Sequence, residues 1–171
     1  MTDRVIISEG EYAEVLYAWL KMNIKPEPLR IFAKSIKYKI SFFHPLQRIV
    51  LLEELISIYT ALICFVSYYA IADSDNRNLI QGKFVGKVAK LCNTTLFDDD
   101  PEFLPRFQEK FERYTSIANE DNKKTQLAVE FMKNLHEFKS RNMPKDIAML
   151  SATFGIFCKT LNDALTSYEI A

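Results

Sequence analysis

The residue types that most often bind metals or transfer protons are scarce in this sequence, and their spacing matches none of the common sites. Histidine occurs twice, as His44 and His136. A di-iron carboxylate bundle needs Glu-x-x-His on two helices, whereas Ser41 and Lys133 stand three positions before these histidines. No local spacing adds the thiols or carboxylates of a zinc site. We therefore expect no metal and no cofactor, and we interpret both histidines as polar residues at helix flanks.

Nucleophilic catalysis and nucleotide binding also lack their usual motifs. The cysteines Cys64, Cys92 and Cys158 lie far apart in apolar patterns, as reduced, buried thiols of a cytosolic protein do. With four glycines in the chain, neither GxGxxG nor a P-loop is present, and no GxSxG marks a nucleophilic serine. We expect a cytoplasmic protein that is not an enzyme, and we assign no catalytic residue.

A narrow polar strip is the first arrangement that could bind a ligand. At 100° per residue, five residues of one predicted helix fall within about 40° of a single line. They are Glu53, Ser57, Thr60, Cys64 and Ser67. The strip is either a solvent-facing seam, a row of small residues that permits close helix packing, or the wall of an internal cleft. In the cleft, a carboxylate and hydroxyls would orient a small, partly apolar ligand.

A basic segment is the second such arrangement. Residues 29–52 include Arg30, Lys34, Lys37, Lys39 and Arg48 but no acid. The segment is either a solvated helix face or a docking surface for an acidic protein partner, a nucleic acid or an anionic membrane. Because the chain balances 22 Lys and Arg against 22 Asp and Glu, nucleic acid is a disfavoured partner. The absence of Trp and the scarcity of aromatics on this face weaken the membrane alternative.

The elements that carry these residues are predicted to form an all-α bundle of about six or seven helices. A single helical domain over residues 1–171 should bury roughly 70% of its extended-chain surface, enough for a core without disulfides or metals. Ser8 and Glu11 predict a capping box at the start of the first helix. The predicted helices span 9–22, 29–42, 45–72 and 76–92, then one that begins at the acidic residues 98–102, and 121–140 and 145–168. No convincing strand is predicted, and Pro26 and Pro28 are expected to separate the first two helices.

The third predicted helix should be the long, nearly all-apolar centre of the bundle. Residues 55–72 contain no charge, which reaches the lower limit for a membrane span. Glu53 and Glu54 at the start of this run, together with its hydroxyl residues, favour a buried central helix over a single membrane pass. Residues around such a helix must cover nearly its whole circumference.

Apolar surface in excess of one bundle's needs predicts a homodimer. The third and seventh helices are apolar almost all round, and the fourth has two apolar faces. Its small-residue face comprises Leu79, Gly82, Val85, Gly86 and Ala89, and its bulkier face comprises Ile80, Phe84, Val88 and Leu91. Since each interior glycine costs about 1 kcal/mol relative to alanine, Gly82 and Gly86 predict the close approach of another helix.

These patterns lead to three functional hypotheses. The first is a helical protein-interaction or regulatory module that acts as a homo-oligomer, with Arg30, Lys34, Lys37, Gly82 and Gly86 as candidate partner-binding residues. The alternative is a bundle that binds a small ligand along the Glu53 strip. The third is a single-pass membrane-associated protein.

Overall fold

The computed structural model describes residues 4–40, 45–97, 100–120, 123–135 and 143–171, and it confirms the all-α bundle. Seven α-helices lie in these ranges: α1 (Glu9–Asn23), α2 (Pro26–Ser35), α3 (Pro45–Ala70), α4 (Ser74–Leu91), α5 (Phe103–Ala118), α6 (Lys123–Asn134) and α7 (Met143–Leu165). A π-helical turn, Cys92–Leu96, extends α4. Two short strands lie near the termini, β1 (Val5–Ile7) and β2 (Tyr168–Ile170).

Helix α3 occupies the centre of the bundle, as its composition predicts. Fifteen of its 26 residues are buried, and it contacts α1, α4, α5, α6 and α7, with the most extensive contact against α5. Burying one large aliphatic side chain contributes about 1.5–3 kcal/mol relative to leaving it exposed. The interior of the protein is therefore built around this helix.

Helix α3 is also long and apolar enough to cross a membrane, with a mean hydropathy of 2.2 over its most apolar window. It is the one such helix in the ranges that the structure describes. However, 78% of that window is buried inside the chain, which is the behaviour of a core helix. The burial favours the central-helix interpretation over the membrane pass.

The first helix confirms the predicted capping box. The hydroxyl of Ser8 accepts a hydrogen bond from the backbone N–H of Glu11 at 3.3 Å. In return, the Glu11 carboxylate accepts one from the backbone N–H of Ser8 at 2.8 Å. Two orphan donors of the helix start are thereby satisfied, and α1 begins at the predicted residue.

The predicted bounds of the second helix are wrong at both ends. The predicted break between the first two helices is present, at residues 24–25, but Pro26 and Pro28 lie inside the first turn of α2. Proline is tolerated there because the first backbone N–H groups of a helix have no intrahelical partner. The helix also ends at Ser35, well before the predicted position 42.

A left-handed residue explains why α2 ends early. Lys37 has φ 56°, the single positive φ of a non-glycine residue in the described ranges. Its N–H donates to the carbonyl of Lys34 at 3.1 Å, and the N–H of Tyr38 donates to the carbonyl of Ala33 at 2.8 Å. These two bonds form the Schellman pattern that terminates helices, with lysine in the position where glycine is usual.

The prediction of no strand is wrong at the termini. Strands β1 and β2 pair in parallel, with Val5 opposite Tyr168, and the N–H of Ala171 donates to the carbonyl of Ile7 at 3.0 Å. The pairing ties the beginning of the described chain to its end. Three-residue strands are too short to show the alternation by which strands are recognised in a sequence.

The remaining bounds agree in part with the sequence. Helix α4 begins two residues before the predicted position 76, because Asp73 caps the backbone N–H of Asn76 at 2.8 Å. The sequence predicts no helix between residue 92 and the acidic residues 98–102, but Cys92–Leu96 forms the π-helical turn. Helix α7 begins and ends slightly earlier than predicted. The interpretations of residues His44, Asp98, Asp99 and His136 lie outside the described residues.

Candidate functional site

An ion network built on two buried carboxylates joins α3 to α5 at the first residue of the polar strip. Lys110 Nζ lies 2.7 Å from Glu53 Oε1 and also pairs with Glu54. Arg106 donates through Nε and Nη2 to the two oxygens of Glu53, at 3.3 and 3.0 Å, and its Nη2 reaches Asp100 at 2.7 Å. Glu53 is 5% exposed and Glu54 is fully buried. Both buried carboxylates are thus paired with cations that are themselves partly exposed.

The network extends to α6 through the second oxygen of Glu54. Tyr114 donates its hydroxyl to Glu54 Oε2 at 2.6 Å. Asn134, at the end of α6, donates its amide to the same oxygen and to Tyr114 Oη, each at 3.2 Å. A single carboxylate of α3 therefore holds side chains of both α5 and α6.

Glu53 and Lys110 are stabilised in their ionised forms, and Tyr114 in its neutral form. Burial would raise the pKa of Glu53, but the hydrogen bonds and charges of Arg106 and Lys110 outweigh it and lower this pKa below its ordinary 4.5. Burial would lower the pKa of Lys110, but the two carboxylates outweigh it and raise this pKa above 10.5. Burial, with the charge and hydrogen bond of Glu54, raises the pKa of Tyr114 well above its ordinary value.

These shifts decide what the network can do chemically. A general acid or base works best with a pKa near the operating pH, and the pKa values of Glu53, Lys110 and Tyr114 all move away from neutrality. The arrangement suits a fixed clamp that sets how α5 and α6 lie against α3. Its geometry gives no support to proton-transfer catalysis.

The side chains of α5 that bind Glu53 and Glu54 are spaced so that they lie on one face of the helix. Arg106, Lys110 and Tyr114 recur every four residues and so share one face of α5. Sequence reasoning missed them, together with Asn134. A signal was present: two adjacent acids, Glu53 and Glu54, precede a long uncharged run, and buried carboxylates need paired cations.

The inner part of the polar strip satisfies its own hydrogen bonds. Ser57 donates its hydroxyl to the carbonyl of Glu53 at 2.9 Å, and Thr60 donates to the carbonyl of Ile56 at 2.6 Å. Ser67 donates to the carbonyl of Cys64 at 3.0 Å. The hydroxyls are therefore occupied by α3 itself.

A glutamine of α4 covers the far end of the strip. Gln81 donates its amide to the carbonyl of Cys64 at 2.8 Å and to the hydroxyl of Ser67 at 3.0 Å. All five strip residues are buried. The solvent-facing seam is therefore the wrong interpretation, and the structure agrees with small residues that let neighbouring helices approach.

Two surface grooves lie away from the strip. One, of about 620 Å³, runs between α1 and α4 and is lined by Ser8, Gly10, Glu11, Glu14, Lys83, Gly86, Lys87 and Lys90. The other, of about 300 Å³, lies between α5 and α6 and is lined by Arg113, Ile117, Glu120, Thr125, Gln126, Val129, Glu130 and Lys133. Neither includes a strip residue, so the ligand-binding role of the strip stays a prediction.

The two glycines of α4 are exposed to solvent, and Gly86 also lines the groove between α1 and α4. Gly82 and Gly86 are exposed, and a Cβ atom built on either one would meet no atom within 4 Å. The close helix approach that they predict is thus not supplied by the described part of this chain. Their role in binding a partner stays a prediction.

The basic candidates also lie on the surface. Arg30, Lys34 and Lys37 are exposed, and Arg30 forms an ion pair with Glu27 at 2.8 Å. Within the described ranges, neither lysine contacts an anion. These three cations lie on α2 and its C-terminal turn, whereas the ion network joins α3, α5 and α6.

The three cysteines are free thiols. Cys64 and Cys92 are buried as predicted, whereas Cys158 is only half-buried, which corrects that part of the prediction. Burial raises the pKa of Cys64 and of Cys92 to about 12, and that of Cys158 to about 11. Because the thiolate is the nucleophile, such thiols are poorly reactive at neutral pH.

Comparison with known protein families, curated proteins and solved structures gives no match to this chain.

Proposed function

We propose that this chain is a helical protein-interaction module that forms a homodimer through the outward face of α4. One observation carries the proposal: Leu79 is 47% exposed beside two helix-interior glycines whose Cβ positions are open. At 100° per residue, Leu79, Gly82 and Gly86 lie within about 60° of one another. Glycines at these positions lower the stability of the helix, and within the described residues they allow no close contact in return. Close packing of a helix from a second copy would explain their presence.

The residues along this face are complementary to a second copy in the antiparallel direction. Asp75 lies four residues before Leu79, and Lys90 lies four residues after Gly86. An antiparallel alignment that sets Leu79 over Gly86 of the second copy therefore also sets Asp75 opposite Lys90. Because a twofold interface uses the same patch twice, each favourable contact is made twice.

The apolar part of this contact resembles a knob in a hole. Leu79 would cover the flat backbone surface at Gly86 and remove its exposed side chain from water, at roughly 25 cal/mol for each Å² buried. Interaxial distances between packed helices are about 8–10 Å and depend on the side chains at the contact. Glycine favours the shorter end of that range.

Light scattering coupled to size exclusion tests the proposal. The native chain is expected to elute as a dimer, at twice the single-chain mass of 19.9 kDa. The Leu79→Glu variant is expected to elute as a monomer, at the single-chain mass. The matched control is Ile156→Glu, because Ile156 is 67% exposed and belongs to a different helix, α7. A native monomer, or equal loss of dimer in both variants, contradicts the α4 interface.

Charge reversal tests the antiparallel alignment. Asp75→Lys or Lys90→Asp alone places like charges opposite each other and should weaken the dimer, whereas the double variant should restore it. Both positions are exposed, so these changes leave the core intact. Failure of the double variant to recover the dimer contradicts the alignment, while the Leu79 result separately decides the interface.

A further inference from the structure

We infer that the outward side of α2 binds anionic lipid headgroups at a membrane surface. The basic surface comprises Arg30, Ile31, Lys34, Lys37 and Lys39. All five side chains are exposed. This inference does not depend on the α4 dimer, since the two surfaces lie on different helices.

The inward side of α2 fixes the direction of the basic surface. Leu29, Phe32, Ala33 and Ile36 are buried, and the ring of Phe32 packs edge-on against Phe131 of α6 at 5.6 Å. The opposite side must therefore face outward. Amphipathic packing thus presents Arg30, Ile31 and Lys34 together.

The turn after α2 continues the surface. Tyr38 is buried after the left-handed residue Lys37, whereas Lys37 and Lys39 on either side of it are exposed. Burial of the tyrosine anchors the turn, so the two lysines remain near the C-terminal end of the helix. The cations are held by a folded scaffold.

The charge of this surface is nearly uncompensated. Among described residues, Glu27 is the one anion in contact with any of these cations, through its ion pair with Arg30. In the sequence, residues 29–52 hold five of the 22 Lys and Arg but none of the 22 Asp and Glu. A chain with no net charge thus carries a positive surface at one place.

The exposed isoleucine decides which anion fits best. Ile31 is 59% exposed and lies among the cations of α2. A lipid surface offers acyl chains beneath its anionic headgroups, whereas a nucleic-acid backbone offers no apolar partner. Lipid headgroups are mobile and can adapt to any spacing of cations, whereas the acidic side chains of a folded protein would have to match the spacing of the cations on α2. Although this face lacks the aromatic residues typical of membrane-binding surfaces, a lipid surface accounts for both its charge and its exposed isoleucine.

Co-sedimentation of the full chain with vesicles tests the inference. Binding is expected to phosphatidylcholine vesicles that contain about 30% phosphatidylserine, and none to phosphatidylcholine alone. Raising the salt from about 0.05 M to about 0.5 M should release the protein, because it shortens the range of the charges. No binding to the anionic vesicles at low salt overturns the inference.

Variants then assign the binding to these residues. Lys34→Gln removes one cation of the surface and should lower the vesicle partition coefficient about fivefold. The matched control, Lys159→Gln on α7, should leave the partition coefficient unchanged. Lys37→Gly should weaken vesicle binding similarly while the fold is retained, since glycine suits the left-handed turn. Equal effects of the surface and control variants overturn the assignment.

The isoleucine and the alternative partner have their own tests. Ile31→Gln should weaken vesicle binding more than Ile156→Gln, a control on α7 whose side chain is 67% exposed against 59% for Ile31. Soluble polyglutamate serves as an acidic-protein probe. Binding to polyglutamate without binding to anionic vesicles overturns the lipid assignment in favour of an acidic protein.

Discussion

Replacing Gly82 and Gly86 by alanine is expected to stabilise the monomeric chain. Both glycines lie in the interior of α4, and a Cβ at either position meets no atom within 4 Å. The substitution therefore introduces no clash and lowers the conformational entropy lost on folding. Each alanine should add about 1 kcal/mol to the free energy of unfolding.

The two contributions should add, which makes the effect easy to measure. Together they raise the free energy of unfolding of the monomer by about 2 kcal/mol. For a chain of this size, 1 kcal/mol shifts Tm by roughly 2–4 °C, so the double variant should melt roughly 4–8 °C higher. Urea and thermal denaturation at a protein concentration low enough to dissociate any dimer measure both quantities.

A glycine in another helix supplies the control. Gly155 lies inside α7, where an added Cβ would come within 3.4 Å of the flexible Nζ of Lys124. Gly155→Ala should therefore raise the free energy of unfolding by less than Gly82→Ala or Gly86→Ala does. It should also leave the oligomeric mass unchanged. Destabilisation of the monomer by the α4 double variant would refute the reasoning, because it would show that the glycine backbone has a partner inside the chain.

The same double variant connects stability with the proposed dimer. Two methyl groups at Gly82 and Gly86 would hold the antiparallel helices further apart and weaken association. At high protein concentration, dimerisation stabilises the native chain more than the variant. The difference in free energy of unfolding between the variant and the native chain should therefore be smaller than at low concentration. An advantage that is independent of concentration would count against the α4 interface.

Three further predictions concern the ion network and the α2 turn. Lys110→Met leaves the buried carboxylates of Glu53 and Glu54 without their shared cation, and should lower the free energy of unfolding in urea by about 3 kcal/mol. Because the pKa of Glu53 is lowered in the folded chain, its stabilisation is complete above the ordinary pKa of 4.5 and is lost as the pH falls through the folded value. Glu53→Gln should therefore be less stable near neutrality and show a flatter decline below about pH 4.5, and an unchanged acid profile would contradict this origin. Lys37→Gly should raise the free energy of unfolding by about 1 kcal/mol, whereas Lys39→Gly, which has no positive φ to relieve, should not.

The bundle could be predicted because local patterns decide most of it. Ser8 and Glu11 satisfy a helix start by themselves, and the uncharged run of α3 has to lie inside. The early end of α2 could not be predicted, because it depends on a lysine held in a left-handed conformation that glycine adopts far more readily. The terminal strands could not be predicted because their cause is long-range: β1 and β2 are stabilised by pairing with each other, although they lie at opposite ends of the sequence.

The ion network shows where sequence reasoning about a site stops. Periodicity places Glu53 on a line with Ser57 and Thr60, but it cannot say what lies opposite that line. The partners of Glu53 are more than fifty residues away on α5, and the hydroxyls are satisfied by the carbonyls of their own helix. A carboxylate cannot satisfy itself in this way, since it has no proton to donate and needs a donor from elsewhere. In an apolar helix, the acids are therefore the residues that point to distant cations, while serine and threonine can be buried without any other partner.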